Sequence, residues 1–201
     1  MSTIGVLALQ GAYDVHARRL TELGAIPRLV RRPEELDGLD GLIIPGGEST
    51  TILKFLERND FFALLESFVQ HKPTFGTCAG TILLAKHLTN STQRSLSALD
   101  ITVERNAYGR QNDSVILCEP TALPGGPLEM VFIRAPRITE VDAGVEVLAQ
   151  RDGYPVLVRQ GQLLAATFHP ELSDDPRVHQ LFLDLVRQSI SASGAAEPVH
   201  G

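Results

Sequence analysis

The run Phe75-Gly76-Thr77-Cys78-Ala79-Gly80 decides the fold. Residues 73–76 read as a short strand, and residues 79–88 carry a helical pattern that begins at once. Glycines stand two positions before and two positions after the cysteine. This is the pattern of a nucleophile elbow with cysteine in the serine place. A sharp strand-to-helix turn lifts the central side chain to the end of a sheet, and the glycines keep neighbouring side chains off the turn. The helix N-terminus supplies free N–H groups and the positive end of a dipole, which favour a thiolate. The N–H of Ala79 would face a developing oxyanion. A lone cysteine is more often a core residue. Cys118 shows that alternative: it ends an apolar run before Glu119-Pro120, has no glycines around it, and reads as core or inert.

Working outward, the first half alternates strand and helix. Strands are expected at 4–9, 28–30, 42–44 and 73–76, and helices at 14–23 (closed by Gly24), 49–57, 60–70 and 79–88. Alternation of this kind predicts an α/β fold, a parallel sheet with helices on both faces. The second half reads as strands at 101–105, 114–118, 130–133, 145–149, 156–159 and 163–168, with Gln160-Gly161 as a hairpin turn. With no helices between them, part of this half should be antiparallel. A helix at 176–190 closes the domain, its Val178, Leu181, Phe182, Leu185 and Val186 forming one apolar stripe. We expect one domain over 1–190 and a flexible C-terminal tail over 191–201.

A thiol nucleophile needs a base. His169 lies in Phe168-His169-Pro170-Glu171, just past the last apolar strand. In extended chain, residues two apart point the same way, so Glu171 can reach the imidazole and orient it. His16, His71, His87 and His179 fall on expected helices or their ends, and no His/Cys set has zinc spacing, so no metal site is expected. Pro45-Gly46-Gly47-Glu48-Ser49-Thr50 follows another strand. Its glycines let backbone N–H groups approach a ligand, and Ser49 is a candidate helix cap. No phosphate-binding GxxxxGK[ST] or GxGxxG occurs. Loops at the carboxyl ends of parallel strands share one crevice, which would place Gly47 beside Cys78.

Composition is that of an ordinary globular protein: 201 residues, 43% hydrophobic and 21% charged. The net charge of −6 favours neither nucleic acid nor an anionic membrane. Two cysteines do not make a disulfide scaffold, so a reduced, cytoplasmic setting is expected. Residues 3–9 lack the basic flank and length of a signal sequence, and no apolar stretch is long enough to span a membrane.

Taken together, the cysteine elbow and the late His-x-Glu resemble the class I glutamine amidotransferases, whose flavodoxin-like three-layer fold is an open, mostly parallel sheet flanked by helices. Within that class, several blocks resemble the glutaminase subunits of pyridoxal 5′-phosphate synthase. They are Leu9-Gln10-Gly11-Ala12, the 45–51 loop, the 75–80 elbow, residues 103–111, Phe132-Ile133-Arg134-Ala135-Pro136 and Phe168-His169-Pro170-Glu171. The resemblance implies hydrolysis of glutamine through a Cys78, His169, Glu171 triad and a γ-glutamyl thioester. It implies an oxyanion hole from Gly47 and Ala79, and glutamine binding by Gly47, Glu48, Ser49, Arg105, Ile133 and Arg134. It also implies a separate (β/α)8-barrel synthase partner docking near Gln10, Gly11 and Ala12, and no cofactor. Thr81, where a larger apolar residue is usual, and Tyr13-Asp14-Val15 depart from the pattern. An amidotransferase serving another acceptor, a γ-glutamyl hydrolase and a non-catalytic interaction module are the rivals. The blocks at 106–111 and 133–136 argue against the first.

Overall fold

In the computed structural model, residues 1–89, 91–105, 107 and 114–194 are described. The first half runs β1 (Thr3–Leu7), α1 (Tyr13–Glu22), β2 (Ile26–Val30), β3 (Gly41–Ile44), α2 (Ser49–Leu56), α3 (Phe61–His71), β4 (Thr74–Thr77) and α4 (Ala79–Leu84). The second runs β5 (Ala85–Thr89), β6 (Leu99–Glu104), β7 (Ser114–Glu119), β8 (Leu128–Ile133), β9 (Arg137–Val141), β10 (Glu146–Arg151), β11 (Tyr154–Gln160), β12 (Leu163–Ala166) and α5 (Arg177–Gly194).

The apolar runs of β3 and β12 are buried along their whole length, as strands covered on both faces must be. Their side chains alternate between two cores. Leu42, Ile44 and Ala165 face the core built with α2, α3 and α4, whereas Ile43, Leu164 and Ala166 face the core built with α1 and α5. The result is the expected three-layer arrangement. Seven strands form the main sheet in the order β10-β11-β12-β4-β3-β1-β2. The five from β12 to β2 are parallel, and β10 and β11 add an antiparallel edge. β5, β6 and β9 form a small mixed sheet, and β7 pairs with β8.

This order matters for the site. β2 lies on one side of β1, while β3 and β4 lie on the other, so the chain reverses its direction of travel beside β1. The crevice at such a switch point collects the loops leaving the carboxyl ends of β1, β3, β4 and β12. Those loops carry residues 10–12, 46–48, Cys78 and His169.

Several expectations need correction. The helix expected at 79–88 stops at Leu84, and residues 85–89 pair with β6, because Ala85 is extended (φ −60°, ψ 142°) and the chain enters the small sheet. His87 is therefore on a strand. β9 was not anticipated. Cys118 is exposed, on the outward face of β7 with Ile116. The last helix continues through Gly194, beyond the stripe's end at Val186. Asn106 and residues 108–111 of the resemblance lie outside the described residues. No helix among the described residues is long and apolar enough to cross a membrane.

Candidate active site

The elbow forms as its sequence dictates. Cys78 sits at φ 47°, ψ −103°, a conformation that non-glycine residues rarely adopt and that marks functional strain. Its own N–H donates to Ala166 O on β12 (2.8 Å), and its carbonyl accepts from Thr81 and Ile82 as α4 begins. Close packing across the sheet makes the flanking glycines necessary. A methyl on Gly80 would overlap Ile44 O, and one on Gly76 would stand 2.7 Å from the backbone of Gly80. Thr81, one turn into α4, is wholly buried and donates its hydroxyl to Ala166 O at 2.7 Å. A polar side chain there thus ties the elbow helix to β12.

His169 is held from behind. Its N–H donates to Val131 O of β8 (2.8 Å), and its Nδ1 pairs with Glu171 Oε1 at 2.8 Å. The reach from His169 to Glu171 does not come from strand alternation, as the sequence reading supposed. Pro170 opens a 3-10 turn over Pro170–Leu172, and that turn folds the carboxylate back onto the ring. Cys78 and His169 meet across Gly46. A methyl on Gly46 would lie 2.6 Å from His169 Cε1 and 3.2 Å from Cys78 Cβ. Burial works against a charge on His169, but interaction with the Cys78 sulfur and with Glu171 overrides it and raises its pKa to about 10. Burial likewise opposes the charge on Glu171, which is 2% exposed, yet His16 and His169 hold it below the usual carboxylate range.

Cys78 and His169 open into a cavity of about 240 Å³. Its lining includes every residue the resemblance implied for glutamine: Gly47, Glu48, Ser49, Arg105, Ile133 and Arg134. Gln10 and Ile82 line it as well. Arg105 Nη2 pairs with Glu48 Oε1 at 3.3 Å across one side. Arg134 has φ 44°, which turns the chain sharply as it leaves β8. Ser49 does not cap α2. It is the first helical residue, and its hydroxyl donates to Gln93 Oε1 (3.1 Å). Ala79 opens α4, where a helix has no internal partners for its first N–H groups. Gly47 adopts φ 139° in a loop gripped by Gln10 and Gly11. The Glu48 N–H donates to Gln10 Oε1 (2.6 Å), and Gly11 passes so close that a methyl there would overlap Gly46 O.

The sequence reading passed over Gly46 and His16. Gly46 was legible only as half of a glycine pair, and its contact with both Cys78 and His169 needs the fold. His16 was set aside as a helical histidine, yet it is fully buried with its Nε2 at 3.4 Å from Glu171 Oε2.

An α/β sheet with a cysteine elbow, a His–Glu pair and a cavity between them defines a glutamine amidotransferase-like architecture. In keeping with this, a crystal structure of a glutamine amidotransferase superposes with a TM-score of 0.86 at 45% identity, covering 92% of this chain and 98% of that one. The chain belongs to the SNO glutamine amidotransferase family, whose pattern matches residues 6–188. Relatives include the pyridoxal 5′-phosphate synthase subunit PdxT of Koribacter versatilis, 61% identical over 94% of this chain and 97% of its own length. The subunit of the same name from Solibacter usitatus is 53% identical over 91% of this chain and 98% of its own length.

Proposed function

We propose that this chain is the glutaminase subunit of a pyridoxal 5′-phosphate synthase. It hydrolyses L-glutamine to L-glutamate and ammonia and passes the ammonia to a synthase subunit. The relatives named above are pyridoxal 5′-phosphate synthase subunits PdxT, at up to 61% identity over nearly their whole length, and the chain's family is one of glutamine amidotransferases. The single observation that carries the chemistry is that Cys78 and His169 line the 240 Å³ cavity together, with Glu171 bonded to His169 behind them.

In this reading His169 holds the thiol proton of Cys78, and the sulfur attacks the side-chain amide carbon of glutamine. The raised pKa of His169 suits a group that must keep that proton until the amine leaves. Glu171 keeps the ring oriented with Nδ1–H bound. The N–H groups of Gly47 and Ala79 receive the oxyanion. His169 returns the proton to ammonia as the C–N bond breaks. Water then attacks the γ-glutamyl thioester, releasing glutamate and regenerating the thiol. Glu48, Ser49, Arg105, Ile133 and Arg134 bind the amino-acid end of the substrate. Arginine suits its carboxylate, because a guanidinium offers two parallel donors. The Arg105–Glu48 contact must then yield to, or share with, the incoming carboxylate.

The partner in this proposal is a (β/α)8-barrel synthase subunit that docks at Gln10, Gly11 and Ala12. Gln10 and Gly11 grip the 46–48 loop, so docking can set the backbone of Gly47 and switch on hydrolysis. The enzyme works in the reduced cytoplasm, where its two free cysteines remain thiols. Ammonia release from glutamine, measured with and without purified synthase subunit, tests the proposal. We expect weak release alone and a clear rise with the partner. Equal turnover in both conditions would defeat the coupling, and preferential cleavage of γ-glutamyl peptides without any partner would point to a hydrolase instead.

A further inference from the structure

Two fully buried histidines remain outside the proposed chemistry. His16 comes from α1 and His179 from α5, the two helices that cover one face of the sheet, and both are 0% exposed. His16 Nδ1 lies 2.9 Å from His179 Nε2. The other nitrogen of His16, Nε2, lies 3.4 Å from Glu171 Oε2 and 3.3 Å from Thr77 Oγ1, one residue before the elbow cysteine. Phe75 closes the pair from β4, its ring edge-on to both imidazoles. A buried polar chain thus runs Cys78, His169, Glu171, His16, His179.

The protons in this chain can be placed by elimination. Glu171 Oε1 receives Nδ1–H of His169, while Oε2 is buried with no hydrogen bond of good geometry. Only one tautomer of a neutral His16 offers that oxygen a donor, the one with the proton on Nε2. Its bare Nδ1 then accepts from His179 Nε2–H, which leaves a bare Nδ1 on His179. That nitrogen is indeed buried without a partner. The opposite tautomers would turn a lone pair of His16 toward the carboxylate and bury an unmet N–H on His179, at the cost of an unsatisfied donor. Burial lowers the pKa of both rings, His179 well below its usual value, so both stay neutral. The charged and titratable neighbours are Glu171, which works to raise His16, and His169 and Arg19, which lower His16 and His179 respectively.

We infer that His16, backed by His179, is a positioning residue that holds the second oxygen of Glu171, fixing the carboxylate in the orientation that receives His169. The inference rests on the glutaminase reading of Cys78, His169 and Glu171. Removing the donor should leave substrate contacts intact, lower turnover, and raise the pKa of Glu171, because losing the His16 N–H dipole 3.4 Å from the carboxylate disfavours the ionised form. Support of this kind behind a reactive ligand or base is typically worth about 10–100-fold in activity.

The test uses the full chain with synthase subunit present, and compares wild type, Cys78→Ala, His16→Leu and His16→Gln across pH. Ammonia release by Cys78→Ala would sink the glutaminase reading whatever His16 does. With Cys78→Ala inactive, we expect His16→Leu to lower kcat by about 10–100-fold with KM for glutamine nearly unchanged, and to move the acid limb of the kcat profile to higher pH. His16→Gln, whose amide N–H can replace Nε2–H, should recover most of the loss and return the limb. Equal losses in both variants with an unmoved limb, or no loss in His16→Leu, would overturn the inference. Should His16→Leu fold poorly, nitrogen NMR of the wild-type imidazoles decides it. We expect neutral His16 protonated at Nε2, and a proton on Nδ1 or a charged ring at neutral pH would refute the assignment.

Discussion

Gly46→Ala gives a sharp test of how tightly the site is set. Gly46 is not in the left-handed region, so alanine is allowed by its backbone. The added methyl would lie 2.6 Å from His169 Cε1, 3.3 Å from Nδ1 and 3.2 Å from Cys78 Cβ. Carbon atoms prefer about 3.5–4.0 Å, so the imidazole must retreat by about 1 Å. It cannot do so freely, since Nδ1 is bonded to Glu171 and the His169 N–H to Val131. A misplacement of about 1 Å costs on the order of 10²-fold in rate, equivalent to about 2.7 kcal/mol in the barrier. Overpacking should lower stability by about 1–3 kcal/mol, which leaves the domain folded. The assay is steady-state ammonia release with synthase subunit present, alongside denaturant unfolding. Gly144→Ala, whose methyl meets only Gln160 Nε2 at 3.5 Å, serves as the neutral control. A Gly46→Ala enzyme with kcat near wild type would refute the claim that Gly46 sets the sulfur–imidazole geometry.

Other predictions follow from the same geometry. Glu171→Gln keeps the size of the side chain but loses the charge that holds His169 protonated, so the pKa of His169 should fall from about 10 and kcat should drop; an unmoved histidine titration would contradict this. Stability should peak near neutral pH. His16 and His179 have depressed folded pKa values, so their contribution is present above the unfolded value of about 6.5 and lost as pH falls from there through the lower folded values. His169 is raised, so its contribution is present below about 6.5 and lost as pH climbs toward about 10. Thermal unfolding from pH 5 to 10 should trace that dome, and a flat profile would count against the buried neutral pair. Thr81→Val removes the hydroxyl bond to Ala166 O but leaves that carbonyl its bond from Cys78 N–H, so it should cost only about 1 kcal/mol by denaturant unfolding.

What could be read from the chain depended on how local the cause was. β3, the elbow and the apolar stripe of α5 are written in contiguous residues, and their burial follows from their neighbours in sequence. Cys78, His169 and Glu171 were each legible because a nucleophile, a base and an orienting carboxylate sit in short, recognisable settings. Glu48, Ser49, Arg105, Ile133 and Arg134 were legible only through family resemblance, since a single arginine or isoleucine carries no local sign of a ligand. The helix over 79–88 misled because Leu83, Leu84, Ala85 and Leu88 keep helical spacing while pairing with β6 decides otherwise. β9 escaped notice because Arg137–Val141 mixes charged and apolar residues on a half-exposed strand. Cys118 was misplaced because β7, which among the described residues pairs with β8 alone, turns one face outward. His16 and His179 stand 163 positions apart and acquire meaning only when α1 and α5 lie side by side.

The most direct measurement is mass spectrometry of the chain quenched with acid during glutamine turnover, followed by peptide mapping. The account predicts a γ-glutamyl group on the peptide carrying Cys78, absent when glutamine is omitted. An acyl group on Cys118 instead, or turnover with no acyl-enzyme together with full activity in Cys78→Ala, would contradict it.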